Sequence, residues 1–314
     1  MSNIESLELA GVPVLVRPPA NPSLPAGLII LWHGAGIPGS EENLAETLPL
    51  EEVQAWKAYL GLPLFGKRLP AGGMEEIMRR QLEDYVLQLL LPVIEPAIQE
   101  LPNVVQALQA KYNINDEAGI GLFGFSVGGL TALLTLVESS LPIKVAVLAG
   151  VTKDLTVAVD NYERAVQKAY PTLKEQYPWI EEKYRWTAES EAAKQRLDFV
   201  SRASEITQRQ PTPAVLFVHG SQDEIFPVSE VEELHAALAP YYERTNQIKR
   251  LSIQTFENLK HNIDLEAAKT SPEIQKDIAE LQQVIAAWFS KHLIHGTLSF
   301  LCLYVLCTSA VCYC

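Results

Sequence analysis

Gly121-Leu122-Phe123-Gly124-Phe125-Ser126-Val127-Gly128-Gly129 sets one serine between two glycines, each two positions away. The apolar run Ile120–Gly124 before it reads as a strand, and Val127–Val137 after it carries a helical pattern. A sharp strand-to-helix turn lifts the hydroxyl clear of the backbone. Side chains at 124 and 128 would collide across such a turn, so both must be glycine. The following helix aims its free N–H groups, and the positive end of its dipole, at the same point. Ser126 is therefore read as a nucleophile. An overlapping pattern, Gly119-x-Gly121-x-x-Gly124, matches a dinucleotide-binding fingerprint. That fingerprint belongs in the turn after a strand, whereas these glycines occupy the strand itself, and no acidic residue ends a second strand at the right distance. We read it as coincidence.

Outward from this stretch, short β-branched runs alternate with long helical patterns, the rhythm of a mostly parallel sheet. The other strand candidates are Val12–Val16, Leu28–Trp32, Lys144–Ala149, Ala214–Val218 and Leu251–Phe256. Several of these are near-continuous apolar runs rather than alternations, as expected of strands covered on both faces. Residues 38–75 form a long connection marked by Pro and Gly, with Tyr59–Phe65 as a further short strand candidate. Met74–Tyr112 is helical in pattern, with breaks or kinks expected at Pro92, Pro96 and Pro102. Ser229–Leu238 and Pro272–His292 complete the helices, and Ser229 with Glu232 suggests a capping box.

Two segments exceed a minimal sheet-and-helix core. Residues 151–211 separate two strands, whereas a crossover needs only about a dozen residues. They are rich in charge and in aromatics (Tyr162, Tyr170, Tyr177, Trp179, Tyr184, Trp186, Phe199) and read as an inserted helical cap. The expected organisation is core from 1–150 and 212–292, cap at 151–211, and an apolar tail at 293–314. From Gly296 to Cys314 the tail carries no charge, close to the ~20 residues of a membrane span. Its hydroxyl-bearing residues weaken that reading, and we take the tail as lying outside the enzyme fold, with a membrane anchor as the alternative.

A formal net charge of −13, with no run of Lys or Arg, argues against nucleic acid as a partner. All four cysteines lie in that tail, at 302, 307, 312 and 314, so none can staple the body or serve there as nucleophile or zinc ligand. The opening residues Met1-Ser2-Asn3-Ile4-Glu5 lack a basic stretch leading into an apolar one, so no secretory signal is expected and a cytoplasmic location is the default.

Residues 11–292 resemble the α/β-hydrolase superfamily, nearest its esterase, dienelactone-hydrolase and prolyl-oligopeptidase-like branches. The resemblance implies an α/β fold with a mostly parallel central sheet and helices on both faces. It also implies a chain order of nucleophile, then acid, then histidine. His219-Gly220-Ser221-Gln222-Asp223-Glu224-Ile225-Phe226-Pro227 is similar to that family's acid-bearing motif after a late strand, with Phe226 where valine is usual. Asp223 is thereby implied as the orienting acid, with its neighbour Glu224 as the substitute. Of the six histidines, His292 and His295 close the last helix, His235 lies in a charged helix, and His33 and His219 precede glycines at strand ends. His261 remains, in the loop after Leu251–Phe256, where the family places its base. His33-Gly34-Ala35-Gly36 is similar to the family's oxyanion turn, which implies the N–H groups of Ala35 and Val127 as donors.

Together these residues imply a serine hydrolase of carboxylic esters, small to medium in size, using an acyl-enzyme and a Ser126–His261–Asp223 triad with no metal and no organic cofactor. A thioesterase or peptidase of the same fold, and a non-catalytic relative that binds a ligand, are the alternatives. Haloalkane dehalogenation is disfavoured, because those relatives carry Asp where Ser126 stands.

Overall fold

The computed structural model describes residues 4–19 and 21–294. They form one eight-stranded sheet in the order β1-β2-β4-β3-β5-β6-β7-β8. The strands are β1 (Glu5–Leu9), β2 (Val12–Arg17), β3 (Gly27–Trp32), β4 (Ala55–Leu60), β5 (Ile120–Phe125), β6 (Ile143–Ala149), β7 (Ala214–Gly220) and β8 (Leu251–Phe256). β1 and β2 pair antiparallel, as do β2 and β4, and all later pairings are parallel. β3, β5 and β7 are buried along their whole length, because helices cover both faces of the sheet.

Those helices are α1 (Glu41–Thr47), α2 (Gly73–Glu83), α3 (Leu91–Lys111), α4 (Val127–Glu138), α5 (Thr156–Gln176), α6 (Ala188–Arg196), α7 (Ala203–Thr207), α8 (Ser229–Arg244), α9 (Leu265–Thr270) and α10 (Pro272–Phe289). One face packs α3, α4 and α8 against the sheet in a core that includes Ile30, Leu122, Leu148 and Phe217. The other packs α1 and α10 around Leu31, Phe123, Val147 and Phe289. Because the strands are parallel, the turns after β3, β5, β7 and β8 all open at one edge of the sheet, where doubly covered sheets place their sites.

Several expectations are corrected by packing. β4 begins at Ala55 rather than Tyr59, since the register Gly27↔Ala55 to Trp32↔Leu60 recruits Trp56 and Lys57 into the sheet. β1, which has charged residues at both Glu5 and Glu8, carries too weak an alternation to be read from sequence. The helical run 74–112 is interrupted at Asp84, not at its prolines. Asp84 is extended, and its side chain accepts from Val86 and Leu87 N–H, opening a π turn at Tyr85–Leu90. Pro92 sits in the first turn of α3, while Pro96 and Pro102 are carried inside it. Ser229 is already helical and makes no side-chain cap, so the capping box is absent. At the far end, a π turn runs from Ser290 to Ile294, and Leu293 is buried in the core beside Gly27. The packed chain therefore continues past His292. The tail readings for residues 296–314 fall outside the described residues, among which no helix is long and apolar enough to cross a membrane.

The segment between β6 and β7 is helical, as expected, but not one unit. Leu197, Phe199, Ala203 and Ile206 belong to the main core. Only Leu82, Tyr162, Val166 and Ile180, ringed by Tyr85, Tyr170, Leu173, Tyr177 and Tyr184, form a separate small cluster.

Candidate functional site

Ser126 stands between β5 and α4 with φ 55° and ψ −120°, a left-handed conformation that costs a residue with a Cβ on the order of 1–3 kcal/mol. The turn is held from both sides. Ser126 N–H donates to Ala149 O at 2.9 Å, and a Cβ on Gly124 would stand 2.2 Å from Gly128 O. A Cβ on Gly128 would stand 2.3 Å from His33 O. The glycines thus let α4 start directly against the ends of β3 and β5.

His261 lies in the turn after β8, between the rings of Phe125 at 5.3 Å and Phe226 at 5.2 Å. Its Nε2 is 3.0 Å from Ser126 Oγ and its Nδ1 is 2.8 Å from Asp223 Oδ2. A carboxylate only accepts, so Nδ1 carries the hydrogen and Nε2 presents its lone pair to the serine hydroxyl. Asp223 follows β7, and its Oδ1 accepts from Ile225 and Phe226 N–H, both at 2.8 Å. Burial opposes ionisation of Asp223, but the His261 hydrogen bond and charge, with the Phe226 N–H, outweigh it and hold the carboxyl below its ordinary range. Glu224 is exposed and lies 3.9 Å from Lys260, whereas the bond to the imidazole is made by Asp223.

The remaining sequence candidates sit around the same point. Ala35 and Val127 line a cavity with Ser126. Val127 is the first residue of α4, so its N–H has no intrahelical acceptor. His33 braces the turn from beneath. Its Nδ1 donates to Gly34 O at 2.7 Å and its Nε2 accepts from Leu62 N–H at 3.1 Å, a pair of contacts that requires the neutral ring. Burial pushes its pKa down to about 4. His219 is buried too. It donates from Nε2 to Phe226 O at 2.8 Å, with Asp223 Oδ2 3.4 Å away.

Asn262 was not singled out from sequence. Its Oδ1 accepts from Ile37 N–H at 3.2 Å, and Ile263 N–H donates to Ile37 O at 2.9 Å. These contacts tie the histidine loop to the turn bearing Ala35. Nothing in the local sequence signals a link spanning more than two hundred positions.

Two cavities meet at Ser126. One, about 450 Å³, is lined by His261, Asn258, Lys260, Asn262, Glu224 and Asp264 among others. The other, about 250 Å³, is lined chiefly by Phe65, Leu89, Leu90, Val93, Val127 and Leu130. Of residues 151–211 only Ala158 reaches these walls. The π turn and α3 supply the apolar walls instead, while Tyr162, Tyr177, Trp179, Tyr184 and Trp186 of that segment pack against one another.

A sequence profile of the prolyl oligopeptidase family matches residues 97–295. The chain belongs to that family. Its fold is the α/β-hydrolase fold, and it is a serine hydrolase of the prolyl oligopeptidase family. No curated protein matches the sequence significantly. Among solved structures, a Thermus thermophilus protein is similar at TM-score 0.63 and 20% identity, over 94% of this chain and 99% of that one. A Mycobacterium tuberculosis puromycin-hydrolyzing peptidase is similar at TM-score 0.59 and 18% identity, over 93% of this chain but 40% of the peptidase. A Pyrococcus furiosus esterase is similar at TM-score 0.53 and 15% identity, over 93% and 94% of the two chains. At these identities the likeness of the three structures to the chain is one of fold.

Proposed function

We propose that this chain hydrolyses carboxylic esters of small to medium size, with Ser126 as nucleophile, His261 as base and Asp223 as the orienting acid. The observation that carries the reading is the hydrogen-bonded line Oγ–Nε2, Nδ1–Oδ2, at 3.0 and 2.8 Å. His261 takes the Ser126 proton as Oγ bonds to the acyl carbon, and the carbonyl oxygen becomes an oxyanion facing the Ala35 and Val127 N–H groups. His261 then gives that proton to the leaving alkoxide as the ester C–O bond breaks. Water, deprotonated by the same imidazole, attacks the acyl-enzyme, and the proton returns to Oγ. Loss of one oxyanion donor in such a site costs on the order of 10²–10³ in rate.

Microscopic reversibility assigns the two cavities. The leaving group must lie within reach of the His261 proton, in the cavity of about 450 Å³ that His261 lines. The acyl group then extends the other way, into the apolar cavity of about 250 Å³ beside Val127. A dry cavity of about 150 Å³ holds benzene, so the acyl side suits a ring or a medium chain.

Peptide or amide cleavage is the second reading, favoured by the family to which residues 97–295 belong. A fluorophosphonate probe should label the wild type and fail on Ser126→Ala, with His261→Ala strongly slowed. Hydrolysis of p-nitrophenyl esters should fall by at least about 10⁴ in Ser126→Ala. Labelling that survives the Ser126 substitution refutes the assignment. Parallel assay of p-nitroanilides with the same acyl groups separates ester from amide preference.

A further inference from the structure

Ala35, Tyr85, Ser126 and Phe226 line both cavities and so form the waist between them. The scissile carbon must reach Ser126 Oγ, so the atoms on either side of it must pass this waist. Ala35 and Phe226 offer apolar side chains there, and the Ser126 hydroxyl is already directed to His261. Tyr85 has no hydrogen bond to its hydroxyl from the described residues. It is half-buried, and burial pushes the phenol up to about 12, which keeps it neutral and able to donate.

The ring is held in place from two directions. It stacks on Tyr162 with centroids 4.9 Å apart and planes 5° from parallel. Tyr184 meets Tyr162 edge-on at 6.3 Å, and Trp186 meets Tyr184 at 5.0 Å, extending the contact into the β6–β7 segment. The backbone is fixed by Asp84, which caps the π turn and also accepts from Tyr184 Oη at 2.7 Å. A π turn is an uncommon element that often marks functional positions. A phenol so constrained gives up little freedom when it binds, which is what makes a fixed donor selective.

We propose that Tyr85 is a specificity-determining residue, whose hydroxyl hydrogen-bonds an oxygen or nitrogen one carbon removed from the scissile carbonyl on the acyl side. The preferred substrates are then acyl donors with a heteroatom at that position. This rests on the serine hydrolase reading above. With no partner among the described residues, the hydroxyl is left to solvent or substrate. An all-carbon acyl chain that enters the waist leaves it unpaired, and an unmade bond costs more than a made one gains.

The test compares p-nitrophenyl methoxyacetate with p-nitrophenyl butyrate, whose acyl chains have the same length and differ by oxygen for methylene. The methoxy ester is intrinsically more reactive, so the quantity to read is the change in the kcat/KM ratio between wild type and Tyr85→Phe. Phenylalanine keeps the stack on Tyr162. The ratio should fall by about 5–10-fold in Tyr85→Phe, the size of one neutral hydrogen bond, with Ser126 still labelled by the fluorophosphonate as a sign that the variant is folded. An unchanged ratio in a protein that labels normally overturns the role of Tyr85 alone. Equal losses on both esters overturn it too, because they report general damage to the site. Failure of the wild type to label overturns both this role and the nucleophile on which it rests.

Discussion

The strand ends that hold Ser126, Asp223 and His261 and the segment between β6 and β7 are built by different means. At the strand ends, backbone meets backbone: Gly124 against Gly128, and Gly128 against His33. The turns bearing Ser126 and Asp223 follow the fully buried strands β5 and β7, and that bearing His261 follows the edge strand β8, so the geometry is inherited from the sheet. The segment from α5 to α6 rests instead on side chains, with Tyr162, Val166 and Ile180 packed on Leu82 of α2 inside a rim of half-buried aromatics. Along α6 only Ser190 and Ala193 are buried. Chemistry is thus fixed by the part of the molecule with least freedom, while the looser part reaches it indirectly, through Tyr162 stacked on Tyr85. Substitutions can separate the two.

The largest effect is expected at Gly128. In an ordinary helix Gly→Ala stabilises by about 1 kcal/mol. Here the new Cβ would lie 2.3 Å from His33 O and 2.8 Å from Trp32 O, both backbone atoms that cannot rotate away. Gly128→Ala should therefore destabilise by about 4–5 kcal/mol, the exceptional end of single substitutions. Urea unfolding supplies the measurement, and the sign alone decides. A stabilised variant would mean that α4 does not press on the end of β3 as described.

The same contrast governs how legible the chain was. Glycines two residues either side of Ser126, and an Asp and a His each just beyond an apolar run, mark the strand ends, because steric necessity there restricts the residue to one or a few types. Five of the six strands read from sequence are runs of mostly buried apolar residues, and the sixth, the edge strand β8, is legible from its β-branched and aromatic residues despite its partial exposure. β1 could not, since it lies at the sheet edge with an exposed pattern. In the β6–β7 segment many residues would serve, so composition revealed helices and aromatics but not their targets. Phe199 looks like one more aromatic of the insertion, yet it is buried in the main core. Asp84 looks like one more charge in a helical run, yet it ends the helix and opens the turn that bears Tyr85.

Phe199 and Trp179 sharpen this division within one segment. Phe199 is 1% exposed and Trp179 49% exposed, although both are aromatics of the same insertion. Phe199→Ala should cost about 3–4 kcal/mol, the usual range for a buried aromatic. Trp179→Ala should stay within about 0.5 kcal/mol, as surface substitutions do. Thermal unfolding of the two variants checks this. Equal losses would mean that the insertion is one packed unit.

The smallest effect concerns pH, and it belongs to the strand ends because residues 151–213 contain no histidine. His33 must be neutral, since its Nε2 accepts from Leu62 N–H while its Nδ1 donates to Gly34 O. Burial holds its pKa at about 4, below the ordinary 6.5. Between those values the unfolded chain binds a proton that the folded chain refuses, so stability falls as pH is lowered through this window. The contribution is about 2 kcal/mol between pH 7 and pH 5, and it is complete below pH 4. His219, His235 and His292 are also depressed, each with burial as the leading cause, and push in the same direction. Comparison with His33→Gln, whose amide takes up no proton in this range, isolates the single term. Urea midpoints at pH 7 and pH 5 should differ by about 2 kcal/mol less in the variant than in the wild type. Equal differences would mean that His33 accepts a proton in the folded state, which the Leu62 N–H facing its Nε2 should forbid.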